Sequence, residues 1–554
     1  MAFEAMFAPI QIGKLTIRNR VLSTAHAEVY ATDGGMTTDR YVKYYEEKAK
    51  GGIGLAICGG SSVVAIDSPQ EWWSSVNLST DRIIPHFQNL ADAMHKHGAK
   101  IMIQITHMGR RSRWDGFNWP TLMSPSGVRE PVHRATCKTI EPEEIWRVIG
   151  NYAQAARRAK AGGLDGVELS AVHQHMIDQF WSPRVNKRTD EWGGTFEGRM
   201  KFGLEVLKAV RAEVGDDFCV GMRICGDEFH PDGLSHEDMK QIAKYYDDTG
   251  MLDFIGVVGS GCDTHNTLAN VIPNMSYPPE PFLHLAAGIK EVVKAPVLHA
   301  QNIKDPNQAT RILEGGYVDM VGMTRAHIAD PHLIAKIKMG QVDQIKQCVG
   351  ANYCIDRQYQ GLDVLCIQNA ATSREYMGVP HIIEKTTGVK RKVVVVGAGN
   401  VAMDCVRSAV RLGASKVHLV YRRTRDDMPA DHEEIEAAEK EGVVFHCLNN
   451  PSRLICENGR VTGVEVVEMR QTGTDSRGRS QIESIPGSER VVACDYLIAA
   501  IGQQVDRGTL SPDDGITINR YGCIEADPDT LETSRTGVFA GGDCVLGPLT
   551  LIHA

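Results

Sequence analysis

The sequence predicts an α/β protein: a (β/α)8 TIM barrel over residues 1–340, followed by a Rossmann-like dinucleotide-binding unit. Three observations carry that expectation. Eight short apolar runs alternate with longer amphipathic stretches through the first 340 residues. After Lys390, the run RKVVVVGAGN sets a strand of valines directly before Gly397-Ala-Gly399, a turn of the kind that holds a dinucleotide phosphate. The chain of 554 residues, 42% hydrophobic and 23% charged, has the length for two to four folded domains.

The eight runs are RVLSTA (20–25), GIGLAICGG (52–60), KIMIQIT (100–106), GVELSA (166–171), FCVGMRI (218–224), FIGVVG (254–259), PVLHA (296–300) and DMVGMT (319–324). Amphipathic segments such as DRIIPHFQNLADAMHKHG and EEIWRVIGNYAQAARRAKAGG separate them. Most runs carry Gly, Ser, His or Arg within their last three residues, at the C-terminal rim where such barrels do chemistry. Residues 341–389 form a segment with Cys348, Cys354 and Cys366 and then a polar linker with a Pro and a Gly. Residues 390–505 form the Rossmann-like unit, in which SRLICENGRVTGVEVVEMR predicts a β-hairpin turning at Glu457–Gly459. Residues 506–554 end in TGVFAGGDCVLGPLTLIHA, with no finishing helix.

A net charge of −9 argues against nucleic acid as a partner. No apolar run reaches the length of a membrane helix, and MAFEAMFAPIQIGK lacks the features of a signal peptide. The expected location is the cytoplasm, where the fourteen cysteines stay reduced or bind metal.

Four segments carry a family likeness: PIQIGKLTIRNRVL, IQITHMGRR, DQFWSPRVNKRTDEWGGTFEGRMKF and GMTRAHIADP. The barrel resembles the Old Yellow Enzyme family of FMN oxidoreductases. Within it the chain is most similar to the trimethylamine dehydrogenase branch, in particular to flavoproteins that demethylate dimethylglycine and N-methylproline. The resemblance implies FMN in the barrel mouth. Gln104 then meets the pyrimidine edge of the flavin, and Arg223 steadies negative charge on the ring, the alternative for Arg223 being a barrel-mouth salt bridge. Ala300, Gln301 and Arg325 follow strands seven and eight, where these barrels hold phosphate. Ala25, Gly59 and Gly322 complete the expected FMN contacts, Gly59 and its neighbour Gly60 by letting backbone approach the ring.

After strand four, His173 falls on a substrate-polarising position, and His175 stands where the family keeps a tyrosine proton donor. His175 reads either as an acid or base or as a pocket wall. Asp263 matches a substrate aspartate of the amine-oxidising relatives. The implied activity is oxidation of a small N-methylated amine or amino acid, with His107, Arg110 and Arg111 available to its carboxylate. Electrons then pass to an electron-transfer flavoprotein or another redox subunit, and the protein is expected to be a homo-oligomer. Two alternatives stand beside this: an NADPH-fed ene or 2,4-dienoyl-CoA-type reductase, and a metal-dependent hydrolase built on His26, His107, His173 and His175.

Relatives in this branch carry a [4Fe–4S] cluster on four cysteines. Here Ala351 occupies the second ligand position and leaves Cys348, Cys354 and Cys366. A three-cysteine cluster, one with a non-cysteine fourth ligand, and three plain thiols all remain open. The segment after Gly399 resembles the NADPH-binding part of the glutamate synthase small subunit. Gly397, Gly399 and Ala402 form its turn, and KVHLVYRR ends in Arg422 and Arg423, which suit the 2′-phosphate of NADP rather than the bare ribose of NAD. Thr536–Asp543 resembles the second FAD motif of those proteins, with Asp543 as its contact residue, but the first FAD half is missing. The reading is therefore NADPH without a complete FAD site, a junction between two parent types near Gly399, and weak NADPH-driven reduction of FMN. Natural fusion, chimera and fragment are equally compatible with it.

Overall fold

The structure is a computed structural model that describes residues 3–70, 75–112, 120–262, 264–382, 390–474, 480–506, 508 and 510–548. It divides into two compact units, residues 1–381 and 382–554.

The first unit is a closed barrel of eight parallel strands: β1 (Val21–Ser23), β2 (Leu55–Val63), β3 (Lys100–Thr106), β4 (Gly166–Ala171), β5 (Cys219–Cys225), β6 (Phe254–Val258), β7 (Val297–Ala300) and β8 (Met320–Gly322). Each coincides with one of the eight runs expected from the sequence. The strands are covered on both faces, which is why they read as continuous apolar runs; β4 and β5 are buried at every position. Sequence signals also start and stop the helices. Glu141 and Glu144 form a capping box at the N-terminus of Pro142–Ala161, with Pro142 in the first turn and Gly162 at the C-cap.

The opening segment PIQIGKLTIRNRVL forms a short antiparallel hairpin, Ile10–Ile12 with Leu15–Ile17, ahead of β1. Ile10, Ile12 and Ile17 pack on Leu22, Leu55, Ile57, Met102, Phe254 and Met320. The hairpin thus plugs one end of the barrel with aliphatic side chains. The cysteine-bearing segment belongs to the same unit: Tyr30 Oη donates to Val364 O at 2.9 Å, Arg40 and Arg357 both bond the Asp363 carboxylate, and Val364 joins the main core.

In the second unit, β9 (Lys392–Val396), β10 (Lys416–Tyr421), β11 (Val444–Cys447) and β14 (Tyr496–Ala499) form a parallel sheet in the order β11-β10-β9-β14. Between them, β12 (Asn449–Glu457) and β13 (Arg460–Thr474) make the expected hairpin. Its turn is Asn458-Gly459, both at positive φ (51° and 74°), as a two-residue turn matched to strand twist requires. Among the described residues no helix is long and apolar enough to cross a membrane.

Candidate functional site

The C-terminal rim of the barrel lines a cavity that opens to solvent. Residues from all eight strands or the loops after them converge on it: Ala25, Gln104, His173, His175, Arg223, Ala300, Gln301, Gly322 and Arg325 all line the wall. One expected flavin contact lies elsewhere. Gly60, not Gly59, faces this cavity, and Gly59 turns its missing side chain toward Ser62, where a β-carbon would stand 2.1 Å from Oγ. Asp263 lies outside the described residues.

The rim backbone is held in unusual conformations. Ser61, His173, Gln301 and Asn302 line the cavity at positive φ (60°, 67°, 144° and 54°). Left-handed non-glycine residues cost about 1–3 kcal/mol each and persist where surrounding bonds over-determine them. Those bonds are present. Gln301 Nε2 donates to Asn270 O and Val271 O, and its Oε1 accepts from Gly259 N at 2.6 Å. Behind His173, Gln174 N donates to Asp178 Oδ2 and Arg110 Nη2 donates to Gln174 Oε1. At Gly322 a β-carbon would lie 2.5 Å from Ala300 Cβ and 2.9 Å from Thr24 Cγ2, so glycine lets strands β1, β7 and β8 close up under the cavity.

On the floor, Gln104 Nε2 donates to Glu168 Oε1 at 2.7 Å, and Arg223 Nη1 stands 3.9 Å from the same oxygen. Burial raises the Glu168 carboxyl above its ordinary value, against the pull of Arg223. Arg223 is 9% exposed, and its buried Nε has no partner. A loosely held, desolvated guanidinium with a spare donor fits an anionic or carbonyl-rich ligand such as a flavin pyrimidine edge. Glu168 was not among the sequence-expected site residues, although a single acid inside an otherwise apolar strand was the available signal.

His173 and His175 meet edge to face, with centroids 5.9 Å apart. Nδ1 of His175 lies 3.0 Å from Thr106 Oγ1 and 3.1 Å from Ser170 Oγ. Burial, then Arg111 and His107, pushes the His175 pKa down to about 3, and burial lowers that of His173 well below its ordinary value. Both rings are neutral at pH 7. Of the three residues offered to a substrate carboxylate, only Arg111 reaches the cavity wall, and it already bonds Glu130 Oε1 and Cys262 O, each at 2.8 Å. Arg110 is spent on the carbonyls of Val128 and Arg129 and on Gln174. His107 lies beneath the rim, with Nε2 3.7 Å from Asp67 Oδ1.

Of the four histidines of the hydrolase alternative, His26, His173 and His175 line the cavity and His107 does not. His26 is already engaged, donating Nδ1–H to Thr24 O (2.8 Å) and turning Nε2 to Tyr44 Oη (2.9 Å), and among the described residues no three such side chains are arranged to hold a metal ion.

Arg325, at the phosphate end, bonds the Asn352 side chain. It thereby ties the cavity to the helix Tyr353–Tyr359, whose Ile355, Gln358 and Tyr359 also line the wall. Cys354 sits in that helix. Burial and then the neighbouring Cys348 thiol raise its pKa to about 11, with Cys366 adding to the shift and Arg325 opposing it. The three thiols are thus close enough to feel one another. Ala351 is exposed at the second ligand position, and among the described residues no three His, Cys, Asp or Glu side chains are arranged to hold a metal ion. The fit to a four-thiolate cluster is incomplete.

In the second unit, Gly397 (φ 128°) follows β9, and a β-carbon there would fall 2.1 Å from Ala500 O. Gly399 is the N-cap of the helix Asn400–Arg411, with open space on its side-chain face, and Ala402 is fully buried against the sheet. These features fit a pyrophosphate at a helix N-terminus. After β10, Arg422 is exposed, whereas Arg423 Nε donates to Ser480 O at 3.0 Å, which leaves Arg422 as the less committed cation. Asp543 is exposed at the start of the short helix Asp543–Leu546.

A cavity on a TIM-barrel rim in the first unit and a dinucleotide turn in the second define a class, and comparison with known proteins agrees. Residues 5–344 match the NADH:flavin oxidoreductase / NADH oxidase family, and the chain belongs to it. Residues 347–554 match the pyridine nucleotide-disulphide oxidoreductase family. Among individual relatives, the chain is 82% identical over 413 residues to an N,N-dimethylglycine/sarcosine dehydrogenase of Chromohalobacter salexigens, covering 74% of this chain and 60% of that protein. It is 41% identical over 460 residues to a probable N-methylproline demethylase of Rhizobium meliloti, covering 80% and 67%. The chain therefore spans about three-fifths to two-thirds of the length of these relatives. A 2-naphthoyl-CoA reductase structure superposes with a TM-score of 0.69 at 21% identity, over 91% of this chain and 94% of that one, a likeness of fold.

Proposed function

We propose that the barrel is an FMN-dependent dehydrogenase of a small N-methylated amino acid of the dimethylglycine type, acting by oxidative demethylation. The observation that carries this is the 82% identity with the dimethylglycine/sarcosine dehydrogenase, on a chain whose rim gathers the flavin-facing residues into one cavity. When bound, FMN supplies the acceptor for the hydride that leaves the N-methyl group. Water then adds to the resulting iminium carbon of the substrate and releases formaldehyde and the demethylated amine.

The chain's own groups position these partners. Arg223 and Gln104, braced by Glu168, hold the pyrimidine side of the flavin, while Arg325 and the backbone at Ala300 and Gln301 hold its phosphate. His173 and His175, neutral at pH 7, offer hydrogen bonds to the substrate without adding positive charge near a carbon that is becoming cationic. A histidine with a pKa of about 3 is no proton donor to a carbon–carbon double bond at pH 7, which speaks against the ene-reductase alternative. Anaerobic titration of the FMN-loaded protein with a panel of N-methylated amino acids tests the reading. Dimethylglycine or sarcosine should bleach the flavin; bleaching no faster than in buffer would refute the proposal.

Three further readings belong to the same proposal. Electrons leave to an external redox protein, and the chain works as a homo-oligomer; activity with purified acceptors and light scattering test these. At Cys348, Cys354 and Cys366, iron and sulfide analysis decides between a three-cysteine cluster, one with a non-cysteine fourth ligand, and three plain thiols. The second unit binds NADPH through Gly397, Gly399 and Arg422 but reduces the barrel flavin poorly, since hydride transfer needs near contact and the first FAD half is missing.

A further inference from the structure

We propose that Cys262 is a capture site for the one-carbon aldehyde formed in the barrel cavity, taking it up as a reversible S-hydroxymethyl adduct with His173 as the proton relay. The inference rests on the demethylation reading above.

The geometry sets this thiol apart from the other cysteines of the barrel. Cys58, Cys219 and Cys225 sit in the strands β2 and β5 and are buried in the core. Among the described residues, Cys262 is the one cysteine that lines the flavin cavity. It follows β6, is 4% exposed, and places Sγ 3.3 Å from His173 Nδ1. Its backbone is pinned, because Arg111 Nη1 donates to Cys262 O at 2.8 Å while the same nitrogen bonds Glu130. A thiol beside an imidazole is a nucleophile beside its base. The same cavity wall carries an independent mark of a ligand, the buried Nε of Arg223 without a partner.

The imidazole is suited to relaying rather than storing a proton. Burial, then His175, Arg223 and Arg111, disfavours the charged ring, so His173 rests as a neutral base beside the sulfur. The step balances without any redox change. Sulfur forms a bond to the carbonyl carbon as the carbon–oxygen π bond opens. The thiol proton passes to His173 Nδ1 and on to the new alkoxide, giving Cys262–S–CH2OH. Reversal returns the aldehyde and the thiol. The capture keeps a reactive product off the amine groups of substrate and protein until the cavity opens to solvent.

The test uses FMN-loaded, full-length protein and carbon-13-labelled formaldehyde, with no amine present. Wild type should show a saturable thiohemiacetal resonance of one equivalent per chain that Cys262→Ser and Cys262→Ala both lose. In wild type alone, formaldehyde at about ten times its dissociation constant should slow iodoacetamide labelling of the Cys262 peptide by about tenfold. This second measurement stands even if the variants fold poorly. A resonance that survives both folded variants, or unchanged labelling of Cys262, overturns the proposal. Methyl-labelled dimethylglycine then separates the two readings. Flavin bleaching without a Cys262 adduct refutes the capture and keeps the dehydrogenase. An adduct with added formaldehyde but no bleaching by the amine upholds the thiol chemistry and refutes the dehydrogenase.

Discussion

The barrel cavity and the dinucleotide turn of the second unit use similar residue types under opposite conditions. In the barrel, Arg223 is buried against Glu168 and the rim histidines are neutral. At the turn, Arg422 and Asp543 are exposed, and the space beside Gly399 is open. Burial makes each barrel group electrostatically costly to change, because its neighbours have no water to replace it. At the turn, backbone shape carries the function, and charge works through water at a fraction of the strength.

Acid should separate the two units most. His175, His299 and His327 are buried in the barrel, with pKa values pushed down to about 3, 4 and 3 from 6.5. Their folded values lie below the unfolded one, so the stability they contribute is present above pH 6.5 and lost as pH falls toward 3–4. Each histidine should cost the barrel about 1.4 kcal/mol per pH unit in that window. In the second unit His418 is also buried and pushed down to about 4, one such group against the three named in the barrel. Hydrogen exchange between pH 7 and pH 4 should show barrel amides losing protection more steeply than those of β9 and β10; parallel loss would contradict this account.

Next in size is Arg223→Met. It removes the cation 3.9 Å from the buried Glu168 carboxyl, and with it an unpartnered donor of a cavity-wall residue. We expect a loss of about 100- to 1000-fold in amine-driven flavin bleaching, the range for removing one preorganised donor, with Arg223→Lys recovering part of it. Wild-type stopped-flow rates in the Met variant would remove Arg223 from the site.

Gly397→Ala should then act on the second unit alone. Its φ of 128° and the 2.1 Å approach to Ala500 O leave no room for a methyl group. NADPH binding, followed by fluorescence, should be abolished while bleaching by dimethylglycine is retained; intact NADPH affinity would disprove the placement of the pyrophosphate. The smallest effect is expected from Arg422→Gln, at about 1 kcal/mol of the preference for NADPH over NADH, shrinking further with added salt because the side chain is exposed. Equal affinities before and after the change would shift the 2′-phosphate contact to another residue.

Much of this was legible in the chain itself. Eight apolar runs and their rim residues led to β1–β8, because parallel strands covered on both faces leave an unbroken hydrophobic signal. The Asn458-Gly459 turn was legible because its φ values admit few residue types. Three features were not. The opening hairpin was hidden because Ile10, Ile12 and Ile17 find their partners on barrel strands far along the chain. The duty of Gly60 rather than Gly59 was hidden because two adjacent glycines point to opposite sides. That Arg111 alone of the three reaches the cavity wall was hidden because Arg110 is drawn to the carbonyls of Val128 and Arg129 and His107 to Asp67.

By itself the sequence determined the architecture, the family and the list of chemically capable groups, since periodicity, turn chemistry and motif spacing are local properties of the chain. Tertiary structure alone decided which of those groups are usable. It left Arg223 a spare donor, made His173 and His175 neutral, and laid Cys262 against His173, because desolvation and hydrogen-bond partners are set by residues far away along the chain.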